Sequence, residues 1–114
     1  MKLVTKQSAQ THSSGERFIA KEYNTLDPDI NIAYVEVNGR HPETGKIANT
    51  LCKELIYVAG GGGKLIINDQ TIDLSEGDVI LIEPNEKYHW EGQLQLVPAC
   101  HPAWTFDQVA SFDA

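Results

Sequence analysis

The stretch that decides the fold is residues 54–90, ELIYVAGGGGKLIINDQTIDLSEGDVILIEPNEKYHW. Short runs rich in β-branched and other apolar residues alternate there with turn residues at 60–63, 68–70 and 75–78. Runs of this kind, bounded by glycine, asparagine and aspartate, are typical of strands joined by tight turns. Because no helical period separates them, they predict an antiparallel meander of four strands. The glycine run requires a tight reversal or a close backbone approach, and its position between two apolar runs favours a hairpin reversal.

The segments on either side extend the all-β pattern. Residues 18–23 and 30–37 predict two strands before the meander, and residues 87–91 and 93–96 predict its continuation. The span 38–49 contains two glycines and a proline, which predicts a long loop at the lip of a pocket.

The two ends of the chain carry weaker patterns. Residues 1–16 are polar and predict a flexible N-terminal arm or a loosely attached edge, which leaves residues 17–114 as a single barrel domain. Four apolar residues of the tail recur at roughly helical spacing: Phe106, Val109, Ala110 and Phe112. They predict a short C-terminal turn of helix.

Length and charge limit the possible functions. A chain of 114 residues fits one domain, and 9 Lys+Arg against 16 Asp+Glu give a net charge of -7, which argues against a nucleic-acid or anionic-membrane partner. No segment has the apolar length of a membrane span or a secretory leader, so we expect a cytoplasmic protein. Two cysteines in a reducing compartment are expected to be free thiols.

Two motifs of the central stretch resemble those of the cupins. Glu54, then six residues, then Gly61 resembles the end of the first cupin motif, and residues 77–84, GDVILIEP, before an aromatic strand resemble the second. Over residues 30–103 the chain is similar to small single-domain cupins of the RmlC-like kind, the barrel of the sugar-nucleotide epimerases and of many oxygenases. The resemblance implies an all-β, cupin-type antiparallel β-barrel (jelly-roll), but no single activity, because this fold carries many.

The resemblance also bears on metal binding. In cupins that hold a metal, paired histidines precede the glutamate of the first motif and another histidine ends the second, which is a donor set suited to transition metals. Here residues 47–50 are Ile-Ala-Asn-Thr, and none of them is a histidine. Alignment on the second motif places Tyr88 at the ligand position, and His89 lies one residue beyond it. The sequence therefore predicts a barrel without a firmly held metal or other cofactor.

A one-residue bulge would reverse that register, so an alternative stays open. In it, a divalent transition metal is bound by Glu54 together with His89, His101 or His41.

Alternation along the strands predicts a pocket. If Glu54 faces the interior, as the cupin resemblance implies, Cys52 shares its face, and the apolar alternation of the last strand places Cys100 inside. With Tyr88 and Trp90 these residues form the candidate ligand-binding set. Aromatic rings with one carboxylate and one phenol suit a small organic molecule, although the cysteines and Trp90 also fit a plain apolar core.

Three functional hypotheses follow from this pocket. The first is a cupin that binds a small organic ligand in the barrel. The second is an isomerase, a lyase or an oxygenase-type enzyme, in which Glu54 acts as general base and Tyr88 as general acid, with or without a metal. The third is a non-catalytic structural or regulatory barrel filled by side chains.

A homodimer is the predicted assembly. Residues 30–37 carry apolar side chains on both parities, so a strand there is apolar on both faces. One face fills the barrel, and the other needs an extra strand or a second subunit to cover it.

Overall fold

Nine antiparallel strands make up most of the chain in the computed structural model, which describes residues 1–113. The strands are β1 (Gln10–Ser14), β2 (Phe18–Tyr23), β3 (Asn31–His41), β4 (Lys46–Asn49), β5 (Lys53–Ile67), β6 (Gln70–Ser75), β7 (Val79–Ile82), β8 (Tyr88–His101) and β9 (Val109–Phe112). Short 3-10 turns lie at Lys6–Ser8 and Phe106–Gln108. Within residues 1–113, no helix is long and apolar enough to cross a membrane.

Strand β8 is the centre of the sheet. It pairs with β3 along one edge and with β5 along the other, and β2 and β1 extend the sheet beyond β3. The first half of β5 pairs also with β7 and its second half with β6, while β4 joins the start of β8 to β9. The sheet curls into an antiparallel half-barrel, which confirms the predicted all-β cupin class.

The predicted reversal at the four glycines is wrong, because β5 runs through them without turning. A β-bulge lies between Val58 and Gly60, and beyond it Gly63 faces Gly92, which in turn faces Gly39. A Cβ atom on Gly63 would collide with the carbonyl oxygen of Glu91, so the backbones of β5 and β8 approach too closely for side chains. The glycines therefore serve close strand packing and a bend in the sheet.

This bend brings the two ends of β5 together. Glu54 and Ile67 lie thirteen positions apart on β5, which would be about 40 Å on a straight strand. Ile67 pairs with Tyr88, and Tyr88 also pairs with Ile47 on β4. Since the Asn49 side chain, on the same strand β4, hydrogen-bonds to Glu54, the sheet folds back until its opposite ends meet.

Apolar side chains fill the interior between the two halves. Val37, Val58, Leu65 and Leu94 are fully buried, and Ile56, Ile82 and Leu96 are nearly so. The partly buried Phe18, Ala33, Ile47, Ile72 and Ile80 pack around them. A continuous apolar core of this kind holds the bent sheet together through the hydrophobic effect.

The prediction of a long loop over residues 38–49 is also wrong, because β3 continues to His41 and β4 begins at Lys46. The Arg40 guanidinium donates hydrogen bonds to the carbonyl oxygens of Pro42, at 2.6 Å, and Gly45, at 2.9 Å. These bonds close a tight connection where the turn-rich composition predicted a long one.

Both ends of the described chain contain an edge strand. Within residues 1–16, β1 is an edge strand that pairs with β2 and is exposed throughout, in line with the loosely attached edge that the sequence allowed. The predicted C-terminal helical turn is present as the 3-10 turn at Phe106–Gln108, but the residues after it form β9 against β4. The helical spacing of the tail does not produce a helix over these residues, because the open edge of β4 offers partners for backbone hydrogen bonds.

We predict that Gly92→Ala destabilises the fold more than Gly39→Ala. Both glycines have a positive φ, +122° and +106°, so both variants carry backbone strain of about 1–3 kcal/mol. Only at Gly92 would a Cβ also meet backbone, with the Gly63 Cα at 2.6 Å, whereas nothing lies within 4 Å at Gly39. Urea unfolding of both variants measures the difference, and equal losses of stability would contradict the close approach of β5 and β8.

Candidate functional site

Glu54 is the only carboxylate among the buried residues of the part of the chain described, with a relative exposure of 9%. It faces the interior from the first half of β5, opposite Cys100 on β8. Asn49 Nδ2 donates a hydrogen bond to Glu54 Oε2 at 3.2 Å, and the Cys100 thiol donates to the same oxygen at 3.5 Å. Within residues 1–113 no cationic side chain forms an ion pair with it.

Burial without a cation changes the chemistry of this carboxyl group. Desolvation disfavours the charged form and raises the pKa of Glu54 above its ordinary value, although the hydrogen bonds from Cys100 and Asn49 oppose the shift. Glu54 consequently keeps its proton to a higher pH than an exposed glutamate does. A carboxyl group with a raised pKa in a closed site is typical of binding and catalytic residues.

Asn49 is held in place by the C-terminal segment. Its Oδ1 accepts a hydrogen bond from Trp104 Nε1 at 3.0 Å, and its backbone oxygen accepts one from the Asn85 amide at 2.7 Å. Asn31 anchors Trp104 in turn, with its Oδ1 accepting from the Trp104 amide at 2.8 Å and its Nδ2 donating to the Trp104 carbonyl at 2.9 Å. The amide that orients the Glu54 carboxyl is thus fixed on both sides.

Gln108 closes the same end of the barrel. It is a buried polar residue whose Oε1 accepts a hydrogen bond from the Cys52 amide at 2.9 Å, while its backbone oxygen accepts one from Thr50 Oγ1 at 2.7 Å. The segment from Trp104 to Gln108 therefore covers Glu54 through hydrogen bonds to β4 and to the residues that follow it. Buried polar groups with satisfied partners make such a cover stable.

Tyr88 and Trp90 lie on the inner face of β8, as the register of the second motif predicts. Both are buried, and their rings meet edge to face with centroids 5.8 Å apart. Desolvation, followed by the nearby Glu54 charge, raises the pKa of Tyr88 well above its ordinary value. The phenol therefore stays protonated and can donate a hydrogen bond throughout the ordinary pH range.

Cys52 and Cys100 are buried free thiols beside the carboxyl group. A hydrogen bond with Cys52, together with burial, raises the pKa of Cys100. A thiol with a raised pKa is a poor nucleophile, so the geometry favours the apolar lining role for Cys100. The structure thus brings together four of the five predicted ligand-binding residues around the end of the barrel at Glu54, with Trp90 beside them against Tyr88.

The three histidines named as possible metal ligands contact other groups. His89 faces away from Tyr88 and Trp90, and its Nε2 lies 2.7 Å from Glu91 Oε2. His101 is exposed and its Nδ1 lies 2.7 Å from the backbone oxygen of Asp29. No group of three or more His, Cys, Asp or Glu side chains in residues 1–113 is placed to hold a metal ion. The donor set does not fit a cupin metal.

His41 belongs to β3 rather than to a loop. Its ring stacks on Phe18 with centroids 3.7 Å apart and an interplanar angle of 14°. Burial lowers the pKa of His41 from 6.5 to about 4, so the ring is neutral at physiological pH. It pairs with Trp90 across the strands and contributes to the aromatic part of the interior.

Sequence reasoning missed Asn49, Trp104 and Gln108. Asn49 occupies one of the positions where the cupin pattern expects a histidine, and that coincidence was the available signal. Trp104 and Gln108 lie 55 and 54 positions beyond Asn49 and Glu54, and no local pattern connects residues so far apart.

Two surface cavities accompany the buried site. One, of about 320 Å³, is lined by Lys46, Asn68, Asp69, Asn85 and Lys87, and the other, of about 380 Å³, by Lys6, Lys21, Tyr23, Tyr34 and Glu36. Neither is lined by Glu54 or Tyr88.

The curled antiparallel sheet has a cupin-like fold. Residues 53–91 match the AraC-like ligand-binding domain. No curated protein matches the sequence.

Solved structures share the fold at low identity. Streptomyces PAC13 with uridine has a TM-score of 0.89 at 19% identity, covering 99% of this chain and 91% of that one, and the protein is described elsewhere as a nucleoside dehydratase. An ectoine synthase from P. lautus has a TM-score of 0.67 at 11% identity, and the match covers 88% of this chain and 79% of that chain. An RmlC-like cupin from Shewanella frigidimarina has a TM-score of 0.70 at 13% identity, and the match covers 87% of this chain and 88% of that chain.

We predict that Glu54→Gln reduces the pH dependence of stability. Between 4.5 and the raised pKa of folded Glu54, the native state binds more protons than the unfolded state, so the wild type loses free energy of unfolding as pH rises. Glutamine keeps the shape and can accept the Asn49 bond, but it does not ionise. In urea unfolding from about pH 5 to about pH 9, the variant should lose less free energy of unfolding with rising pH than the wild type does.

The matched control is Glu76→Gln, because Glu76 is exposed in the turn before β7. The lowered pKa of His41 makes an opposite contribution below pH 6.5, but it is common to all three proteins and cancels in the comparison. Parallel profiles for wild type and Glu54→Gln would contradict the proposed protonation of the buried carboxyl group.

Proposed function

We propose that the protein binds a small, polar, uncharged organic ligand inside the barrel, with Glu54 and Tyr88 as its hydrogen-bonding anchors. The observation that carries the proposal is the buried Glu54 carboxyl, held by Asn49 and Cys100 without a cation. Such a group costs stability in an apolar interior, which a purely structural barrel has no reason to retain. Protonated Glu54 and Tyr88 can donate hydrogen bonds, and the aromatic rings supply contact area.

The charge of the site indicates the kind of ligand. Neither Glu54 nor Tyr88 is a cation that could balance a negative charge, so a strongly anionic ligand would meet an apolar wall and the acidic surface of the protein. Compounds with several hydroxyl or carbonyl groups and a flat apolar part fit better. Uridine is a suitable first probe, because PAC13, which shares the fold, has been solved with it.

We predict that Glu54→Ala weakens ligand binding about tenfold or more and leaves the fold intact, because the ligand loses a partner in a buried site. The experiment titrates uridine, other nucleosides and neutral sugars into the full chain by calorimetry, with thermal shift as a first screen. Glu76→Ala, an exposed glutamate, is the matched control. Unchanged affinity of Glu54→Ala for a compound that binds the wild type would refute the site, and a panel without any binder would favour the filled, non-catalytic barrel.

A second function, proton transfer in an isomerase or lyase, is favoured by the paired pKa shifts. When ionised, Glu54 is a stronger base than an exposed carboxylate, and Tyr88 remains protonated beside it. Glu54 would take a proton from a carbon next to a carbonyl group, and Tyr88 would donate its proton to the carbonyl oxygen. Once Glu54 has accepted its proton, its charge no longer opposes a phenolate at Tyr88.

We predict that such an enzyme exchanges one carbon-bound hydrogen of its ligand with solvent. Incubation of each bound compound in D2O, followed by proton NMR, measures the exchange. Glu54→Gln should abolish it and Tyr88→Phe should slow it, whereas Glu76→Gln should not change it. If the wild type binds a compound that has an acidic C–H bond and exchanges no hydrogen, the protein is a binding module.

A further inference from the structure

A chain of hydrogen bonds leads from the C-terminal segment to the buried acid and ends on one of its two oxygens. Trp104 Nε1 donates to Asn49 Oδ1, and Asn49 Nδ2 donates to Glu54 Oε2, which the Cys100 thiol also reaches. Glu54 Oε1 accepts no hydrogen bond in the part of the chain described. Because His89 Nδ1 is the only fully buried side-chain nitrogen or oxygen without a partner there, Oε1 retains some exposure. One carboxyl oxygen is thus bound by the protein and the other is open.

The direction of this chain is fixed at Trp104. An indole N–H can only donate a hydrogen bond, whereas an amide side chain can present either its oxygen or its NH2 group to a neighbour. Asn49 must therefore turn its oxygen toward Trp104 and its NH2 group toward Glu54. The two hydrogen bonds between Asn31 and the backbone of Trp104 keep the indole at this position.

The direction of the chain decides which oxygen of neutral Glu54 carries the proton. Oε2 already faces an N–H group of Asn49, and a proton on the same oxygen would compete with that group for the space between them. The acid proton therefore belongs on Oε1. If Asn49 were free to turn, neutral Glu54 could donate its proton to the amide oxygen instead and would have none left for another acceptor.

We propose that Trp104 is a positioning residue for the candidate binding site, which acts through Asn49 to keep the proton of neutral Glu54 on Oε1, where it is donated to the ligand. This inference rests on the proposed function. It narrows the ligand to a neutral molecule that presents a hydrogen-bond acceptor, such as a carbonyl oxygen, to Oε1. The raised pKa of Glu54 supports it, because the acid keeps that proton over a wider pH range.

The experiment titrates the carboxyl carbon of Glu54 by NMR in the full chain without ligand. Trp104→Phe keeps an aromatic ring but removes the N–H donor, so Asn49 can turn its oxygen toward the neutral acid. The ratio of protonated to ionised Glu54 at a fixed pH should then rise about threefold or more. In the Asn49→Ala background the same substitution should have no effect, because the intermediate of the chain is missing. Phe106→Ala is the matched control, since this exposed ring meets Trp104 edge to face outside the chain.

A measurement on the wild type keeps the test independent of how the variants fold. The indole N–H proton of Trp104 should shift in the NMR spectrum with the same midpoint as the Glu54 carboxyl, because hydrogen bonds in a chain polarise one another. The other titratable groups that face Glu54 are Cys52, Cys100 and Tyr88. They are common to all the proteins, so their contributions cancel in the comparison.

Binding of uridine gives a second readout. Glu54→Gln presents an amide N–H where the acid proton is proposed to lie, so it should bind uridine within about threefold of the wild type. Trp104→Phe should bind uridine about threefold or more weakly than the wild type does.

Four results would each overturn the proposal. They are a Glu54 titration that Trp104→Phe leaves unchanged, an equal effect of Trp104→Phe with and without the Asn49 amide, an indole signal that does not move while Glu54 titrates, and a Glu54→Gln variant that binds uridine as weakly as Glu54→Ala. If no compound binds the wild type, the proposed function fails, while the titrations still decide whether Trp104 fixes the proton of Glu54.

Discussion

The close contact between the backbones of β5 and β8 is the constraint on which the site depends. Gly63, Gly92 and Gly39 lie side by side across three strands, and the absence of side chains there lets the sheet fold over itself. Folding over brings the start of β8, with Tyr88, to the start of β5, with Glu54. Without that approach the two polar groups would lie at opposite ends of an extended sheet, so backbone packing far from the site determines which residues share it.

The buried carboxyl group sets the chemistry of the site. An ionised glutamate in this interior would need a cation or several donors, and Glu54 has one amide and one thiol. Burial raises the pKa of Glu54 next to a Tyr88 phenol whose pKa is also raised, a pair that suits the uncharged polar ligands proposed above and also proton transfer. Asn49, at one of the positions where the cupin pattern expects a histidine, donates a hydrogen bond to the acid.

Much of the fold was predictable because it follows local rules. The cupin resemblance placed Glu54 and Tyr88 toward the interior, alternation along the strands added Cys52 and Cys100, and all four are buried. The all-β class followed from turn chemistry. The glycine run was misinterpreted because glycine permits both a reversal and a close approach, and only the partner strand decides between them. Trp104 and Gln108 escaped prediction because their roles depend on contacts between residues more than fifty positions apart.

The hydrogen bond from Trp104 to Asn49 has a consequence for biosynthesis. The residues that close the barrel over Glu54 leave the ribosome about fifty residues after Asn49 and Glu54. Until then the acid is without its cover, and strands with strongly non-local partners assemble slowly. The polar end of this barrel is therefore completed only after residues 104–108 have been made, so changes in that segment bear directly on the candidate site.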